Sequence, residues 1–335
     1  MPERIVVLAP NWLGDVVMAE PAVAAIRRAN PAAHVSVAAR ASVAGVLAFM
    51  AGIDAVIPLP AGASAGAHAG LLAAGRFDRA VLLPNSFRSA WVVRRAGIPA
   101  RGGFRADGRS WLLTDRVERP AGLTQVEYYL ALTTALGYPA VSRVPHLSIT
   151  PAASAAAASA LRRHGREPSA PFVVIAPGAA FGRAKQWEPA HVARLIERLL
   201  DRGEQPVLVG APADRETADR VVAALPALAA GRVVNLVGQT DLDALAGLVA
   251  AARAVVANDS GALHLAAAFG TPVAAVFGPT DERLTAPTPH DPARVAVLTH
   301  QVWCRPCGLR ECPIDHACMK GVAPERVLEA VGAWL

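Results

Sequence analysis

Short runs of uninterrupted apolar residues recur along the chain, separated by longer stretches with helical spacing. Ile5–Ala9, Val35–Ala39, Ala55–Pro58 and Val81–Leu83 predict buried strands in the first half. Phe172–Ala176, Pro206–Gly210, Val233–Leu236, Ala254–Ala257 and Val273–Phe277 do so in the second. Strands apolar on both faces, alternating with helices, belong to parallel sheets covered on both sides. The pattern predicts an α/β protein with two Rossmann-like, doubly wound units. Their joint is expected at residues 150–171, which open with an Ala-rich helix, Ala152–His164, and end in Gly165, Pro168, Ser169 and Pro171. This gives domains at 1–165 and 166–323. A closing helix follows at 324–335, with Pro at its start and Val327, Leu328, Val331 and Leu335 on one face. Ser260–Thr280 lacks Asp, Glu, Lys and Arg and is long enough for a membrane span. Gly270-Thr271-Pro272 breaks it, so a buried helix followed by a buried strand is expected.

Composition supports this picture. A chain of 335 residues accommodates two domains of about 100–200 residues each. With 53% apolar and 18% charged residues it has ample core material and is not disordered. Aromatics at 5% supply little stacking surface for nucleic-acid bases. Net charge is +6, and of 33 basic residues only Lys185 and Lys320 are lysines. The excess suits phosphates or a membrane surface, or is a solvated Arg-rich exterior. Arg4 precedes only a short apolar run before Asp15, so no signal peptide is read. A cytoplasmic protein with peripheral membrane contact is expected.

Ligands of open parallel sheets sit beyond the carboxyl ends of strands, where loops meet helix N-termini. The first such loop is Pro10-Asn11-Trp12-Leu13-Gly14-Asp15, before a helix expected from Val16. Asp15 either complements the helix dipole or serves as a general base in a cleft. The G-x-G-x-x-G fingerprint is absent, which argues against a nicotinamide-dependent oxidoreductase. The Pro177–Trp187 loop, with Gly178 and Gly182, follows a strand, the setting of a phosphate cradle. It is not a P-loop, because no Ser or Thr follows Lys185. A lysine in a chain that prefers arginine hints at a compact ammonium for a diphosphate; a solvated lysine is the alternative. Asn258-Asp259-Ser260-Gly261 leads into a helix expected to reach Phe269, with Asp259 or Ser260 as N-cap. Amides at Ser260, Gly261 and Ala262 suit a pyrophosphate, with His264 one turn further in. Gly278-Pro279-Thr280 ends the next strand at the same site. Asp214 and Glu216 follow Pro206–Gly210 and fit either ribose hydroxyls or a helix start. In the first half Asn85, Ser86 and Arg88, then the Arg101–Arg105 segment, are read as loops suited to an anionic acceptor.

Cys304, Cys307, Cys312 and Cys318 hold every cysteine within fifteen residues, unlike a secreted disulfide framework. Four thiolates at such spacing suit structural Zn²⁺ or an iron–sulfur cluster; reduced thiols or a disulfide pair are the alternative.

At these residues the chain resembles glycosyltransferase family 9, the bacterial heptosyltransferases of lipopolysaccharide core assembly. The carriers are Asn11-Trp12-Leu13-Gly14-Asp15, Pro84-Asn85-Ser86-Phe87, the Pro177–Trp187 loop, Asn258-Asp259-Ser260-Gly261 with His264, and the cysteine segment with Met319 and Lys320. The resemblance implies a GT-B fold, two Rossmann-like domains facing across a cleft. The second would hold the nucleotide sugar and the first the acceptor. It implies catalytic roles for Asp15 as base and Lys185 on the phosphates. Donor contacts would be Gly178, Lys185, Asp259, Ser260, Gly261 and His264, with Glu216 on the ribose, although Asp214 lies close to it. Acceptor contacts would be Asn11, Trp12, Asn85, Ser86, Arg88 and Arg105. Asn11-Trp12 looks like the second-heptose group of the family. The implied donor is ADP-heptose and the implied acceptor Kdo-lipid A bearing one heptose, at the cytoplasmic face of the inner membrane. Transfer would be inverting and would need no cofactor, with zinc only structural and no nucleic acid involved. A first-heptose enzyme, another family 9 acceptor and a nucleotide-sugar epimerase of the same architecture remain as alternatives.

Overall fold

The structure is a computed structural model that describes residues 2–335. In the first half, β1 (Arg4–Leu8), β2 (His34–Arg40), β3 (Ala55–Leu59), β4 (Arg79–Leu82), β5 (Ala100–Phe104) and β6 (Asp115–Val117) form one sheet. Its order is β3-β2-β1-β4-β5-β6. In the second half, β7 (Val173–Ala176), β8 (Pro206–Leu208), β9 (Val234–Asn235), β10 (Ala254–Asn258), β11 (Val273–Phe277) and β12 (Val295–Thr299) form another. Its order is β12-β11-β10-β7-β8-β9. Neighbouring strands are parallel throughout, with Val6 between Ser36 and Ala80, and Val256 between Ile175 and Ala274. Each sheet therefore has the doubly wound order, and its winding reverses between β1 and β4, or between β7 and β10. Those two crevices are where each unit is built to receive a ligand.

Burial explains the apolar runs. Strands β7, β10 and β11 are buried at every position. Val6, Leu8 and Leu82 pack with Leu72, Val93 and Leu112 in the first unit. Val173, Ile175, Val256 and Val276 pack with Trp187, Leu195 and Leu199 in the second. The Ser260–Thr280 window is a buried helix, Gly261–Phe269, followed by β11. Gly270, at φ 77°, closes that helix in the left-handed region. Among the described residues no helix is long and apolar enough to cross a membrane.

Three strands lie outside the expected set. The sequence reads as a loop at β5 because Arg101-Gly102-Gly103-Phe104 carries a charge and two glycines. Gly103 is needed because the Arg109 guanidinium lies 3.2 Å from where its Cβ would stand. Gly102 is crowded likewise by Leu136. β6 and β12 are edge strands with mixed exposure, so they lack the buried-run signature.

The boundary also differs. The chain divides into units at Ser148 and Ile149, not at 165 and 166. The Ala-rich helix Pro151–Arg163 belongs to the second unit, where it packs on the helix Leu242–Ala251. Gly247 permits this approach, since a Cβ there would strike the Ala153 carbonyl and the Ala157 methyl. The last helix, Pro324–Gly332, is not a separate segment: Val327 and Val331 are part of the second core.

Candidate functional site

In the first unit the crevice between β1 and β4 is a pocket of about 190 Å³. It is lined by Asn11, Trp12, Asp15, Asn85 and Ser86, together with Gln125, Tyr128 and Tyr129. The helix Leu13–Met18 begins three residues before the expected Val16, and Asp15 lies in its first turn. The helix dipole favours its carboxylate there. Tyr129 is buried; burial, and then the nearby Asp15 charge, push its phenol well above the usual range. The Asn85 amide donates to the Tyr128 hydroxyl oxygen at 2.8 Å, which leaves that hydroxyl's proton to be donated elsewhere.

Four of the six expected acceptor residues line this pocket. Asn11 and Trp12, and Asn85 and Ser86, come together around Asp15. Arg88 and Arg105 do not reach the pocket. Arg88 donates to the Ala63 carbonyl at 2.7 Å, and Arg105 is drawn to Glu118 on the surface. The arginine that does shape the pocket is Arg109, which is fully buried. Its guanidinium donates to the carbonyls of Phe104, Pro84 and Ser86 and to Ser89 Oγ. Burial brings its pKa down to about 10, so it stays charged at neutral pH. Sequence reasoning missed Arg109, since an arginine after Asp107-Gly108 reads as solvated turn. It also missed the Gln125–Tyr129 stretch. There the Thr124/Glu127 capping box marks the helix start but says nothing of which face meets the pocket.

In the second unit the loops after β7, β10 and β11 converge. Lys185 Nζ donates to Asp259 Oδ2 at 2.6 Å, and Thr280 Oγ1 donates to the same oxygen at 2.7 Å. The lysine and aspartate side chains are only 12% and 6% exposed. Lys185 also lies 4.8 Å from the Phe181 ring centroid. The Asn258 side chain fastens the arrangement. Its amide nitrogen donates to Pro177 and Gly178 carbonyls, and its oxygen accepts from the Trp187 amide. Ser260 is the N-cap of Gly261–Phe269 but makes no side-chain cap, and Asp259 is spent on Lys185. The first helix amides are thus not claimed by a side chain.

His264 is buried in this helix, and burial lowers its pKa to about 4; the Lys185 charge adds to the shift and Asp259 opposes it. It is neutral near pH 7, so it brings a hydrogen-bonding ring rather than a positive charge. Gly178 leaves no room for a side chain, because a Cβ would overlap the Asp214 carboxyl. Asp214 accepts the Ala211 amide at 2.8 Å, and burial raises its pKa although amides of Ala211 and Ala179 oppose this. Glu216 stands exposed in the first turn of Arg215–Ala223. Asp214 is therefore committed to the loop, and Glu216 is the free-standing carboxylate of the pair's two positions.

The zinc expectation is not met. Among the described residues no three His, Cys, Asp or Glu side chains could hold a metal ion together. Cys318 is buried, and burial chiefly pushes its thiol up, while Cys307 is exposed. The cysteine segment has another role. The Arg310 carbonyl accepts the Ala184 amide at 2.9 Å, and His316 Nε2 meets the Ala184 carbonyl at 2.6 Å. Arg305 donates to the Gly278 and Thr280 carbonyls and pairs with Glu282. These hydrogen bonds brace the Lys185 and Thr280 loops.

Two doubly wound sheets of the same order, one with a carboxylate pocket and one with a lysine and close-approach glycine at its crevice, define a GT-B-class α/β protein. Within that class, the chain belongs to glycosyltransferase family 9 (heptosyltransferase), whose sequence model matches residues 66–318. It is 35% identical to lipopolysaccharide heptosyltransferase 2 of Escherichia coli K12, over 99% of this chain and 98% of that protein. It is 31% identical to lipooligosaccharide heptosyltransferase 2 of Haemophilus influenzae, over 85% of this chain and 86% of that one. The solved structure of E. coli ADP-heptose lps heptosyltransferase II superposes with a TM-score of 0.83 at 32% identity, covering 99% and 98% of the two chains.

Proposed function

We propose that this protein transfers heptose from ADP-heptose, with inversion, to the first heptose of a Kdo-lipid A inner core at the cytoplasmic membrane surface. The observation that carries the reading is the Lys185–Asp259–Thr280 cluster beside Gly178 and the uncapped helix at Gly261. A diphosphate entering there meets a fixed ammonium and helix amides, and its charge takes over from Asp259 as partner of Lys185. As the sugar–phosphate bond breaks, the same groups take up charge developing on ADP. Glu216 would accept ribose hydroxyls, and His264 would serve as a neutral hydrogen-bonding group. In the first unit Asp15 removes the proton of the acceptor hydroxyl, which attacks the anomeric carbon from the face opposite ADP. Asn85 and Tyr128 orient that hydroxyl's sugar. The likeness to the two heptosyltransferases 2, over 99% and 85% of this chain, supports this donor and acceptor.

The test is ADP release from ADP-heptose with acceptors of defined structure. Release is expected only with Kdo-lipid A already carrying one heptose. It should fall roughly 10²–10⁴-fold in Asp15→Asn, the loss of a general base. Release with the heptose-free acceptor instead would reassign the acceptor, and near-normal turnover of Asp15→Asn would remove the base.

A further inference from the structure

We infer that the surface of the first unit formed by the helices Ala65–Ala74 and Phe87–Arg95 and by Trp111 docks on an anionic lipid bilayer. The inference rests on the proposed lipid-linked acceptor and names the surface that meets its membrane. Phe87, Trp91 and Trp111 are 40%, 37% and 55% exposed, unusual for such large apolar side chains. They form one cluster: Phe87 stacks on Trp91 at 6.3 Å between ring centroids and lies 6.2 Å from Trp111. The Arg94 guanidinium lies 5.6 Å from the Trp111 ring centroid. The neighbouring helix Ala65–Ala74 presents Ala67, Gly70, Leu71, Ala73 and Ala74 to solvent, with no charged group among them. Tryptophan beside arginine on an otherwise apolar face is the composition that settles at the headgroup level of a bilayer.

Charge points the same way. Residues 60–106 contain seven arginines and one acid, Asp78; Arg79 pairs with Glu3 and Asp115 and Arg105 with Glu118, which leaves Arg76, Arg88, Arg94, Arg95 and Arg101 to set the sign of this surface. Asp78 accepts the Arg4 backbone amide at 2.8 Å. A second copy of this chain is a poor occupant, because a two-fold contact would set the same arginines against each other. A polynucleotide is a poor one too. Phe87 and Trp91 already stack on each other, Arg94 occupies Trp111, and the adjoining helix offers phosphates nothing. The surface is also continuous with the pocket. Ser86 lines the pocket and caps the helix whose first residue is Phe87. An acceptor anchored in the bilayer would reach Asp15 from this edge with its acyl chains still in the lipid.

Vesicle co-sedimentation without donor or acceptor tests the surface alone. The full chain should bind vesicles of phosphatidylglycerol with phosphatidylcholine and ignore phosphatidylcholine alone. Replacing Arg94 and Arg95 together by Ala should weaken binding roughly twenty-five-fold, about fivefold per arginine. Trp91→Ser with Trp111→Ser should weaken it at least about tenfold at unchanged Tm. Both variants should retain wild-type turnover on a deacylated, water-soluble acceptor. Equal binding to neutral vesicles, or wild-type binding by both variants, overturns the surface. So does an oligonucleotide complex or a dimer that these substitutions abolish while vesicle binding persists. Failure of turnover on the soluble acceptor in the unmodified protein would instead strike the proposed reaction.

Discussion

Buried titratable residues give this protein opposed responses to pH. Glu20 is buried at the start of the helix Glu20–Ala29 and accepts the His146 amide at 3.0 Å. Burial raises its pKa from 4.5 to about 7, a shift the His146 hydrogen bond only partly offsets. The folded state therefore holds a proton that the unfolded chain releases above pH 4.5. Stability from this group is lost as pH rises from 4.5 through 7, by about 3 kcal/mol. His264 acts in the opposite sense. Its folded pKa of about 4 lies below the ordinary 6.5, so stability is lost as pH falls from 6.5 through 4. Glu20→Gln should abolish the first slope and leave the second, so the variant should gain on the wild type between pH 5 and pH 8 in urea unfolding. Parallel curves for the two proteins would remove Glu20 from the account. Gly178 makes a different demand. Ala at this position collides with the Asp214 carboxyl and must displace the loop beside Lys185. Gly178→Ala should weaken ADP binding at least about tenfold by calorimetry while leaving the first unit's stability unchanged.

At the level of elements, legibility in the sequence followed burial. β1, β7, β10 and β11 were readable because both faces are covered and the run is unbroken. β5 was not, because its glycines serve the side chains of Arg109 and Leu136, which come from elsewhere in the chain. The candidate site divides the same way. Asp15, in the first helical turn after β1, and Lys185 and Asp259, in the segments after β7 and β10, follow strand ends, where position alone marks them. Tyr128 and Tyr129 reach the pocket, and Arg109 braces the Pro84 and Ser86 carbonyls behind it, only through packing that no local pattern encodes. Arg109 joins β5's end to the loop after β4, and so sets the position of Asn85 and Ser86. Arg109→Met leaves the Pro84 and Ser86 carbonyls without this donor. It should cost about 1–3 kcal/mol in denaturant unfolding, the penalty at the Pro84 carbonyl, since the Ser86 carbonyl keeps the Ser89 hydroxyl. It should raise the acceptor KM while leaving ADP affinity as it was. A variant with normal acceptor KM at that lower stability would confine Arg109 to a structural role.

For the molecule as a whole, the two hydrophobic cores share no residue, and each nucleotide-facing group of the proposed site lies in the second unit. A ligand stabilises only the unit that binds it. Calorimetry should resolve more than one transition, with ADP at a hundred times its Kd adding about 2.7 kcal/mol to one of them. A uniform shift of both would contradict separate cores. The bracing of the Lys185 loop by the segment around Arg310 and His316 also bears on biosynthesis. Chains emerge from the ribosome N-terminus first, at about 5–20 residues per second. The pocket around Asp15 is complete once Tyr129 has emerged, whereas the lysine loop waits for Arg310 and His316, far beyond it in the chain. A nascent chain that has not yet reached them would hold a formed carboxylate pocket and an unbraced lysine loop, and a message cut short before them would yield a product that neither consumes donor nor sequesters it.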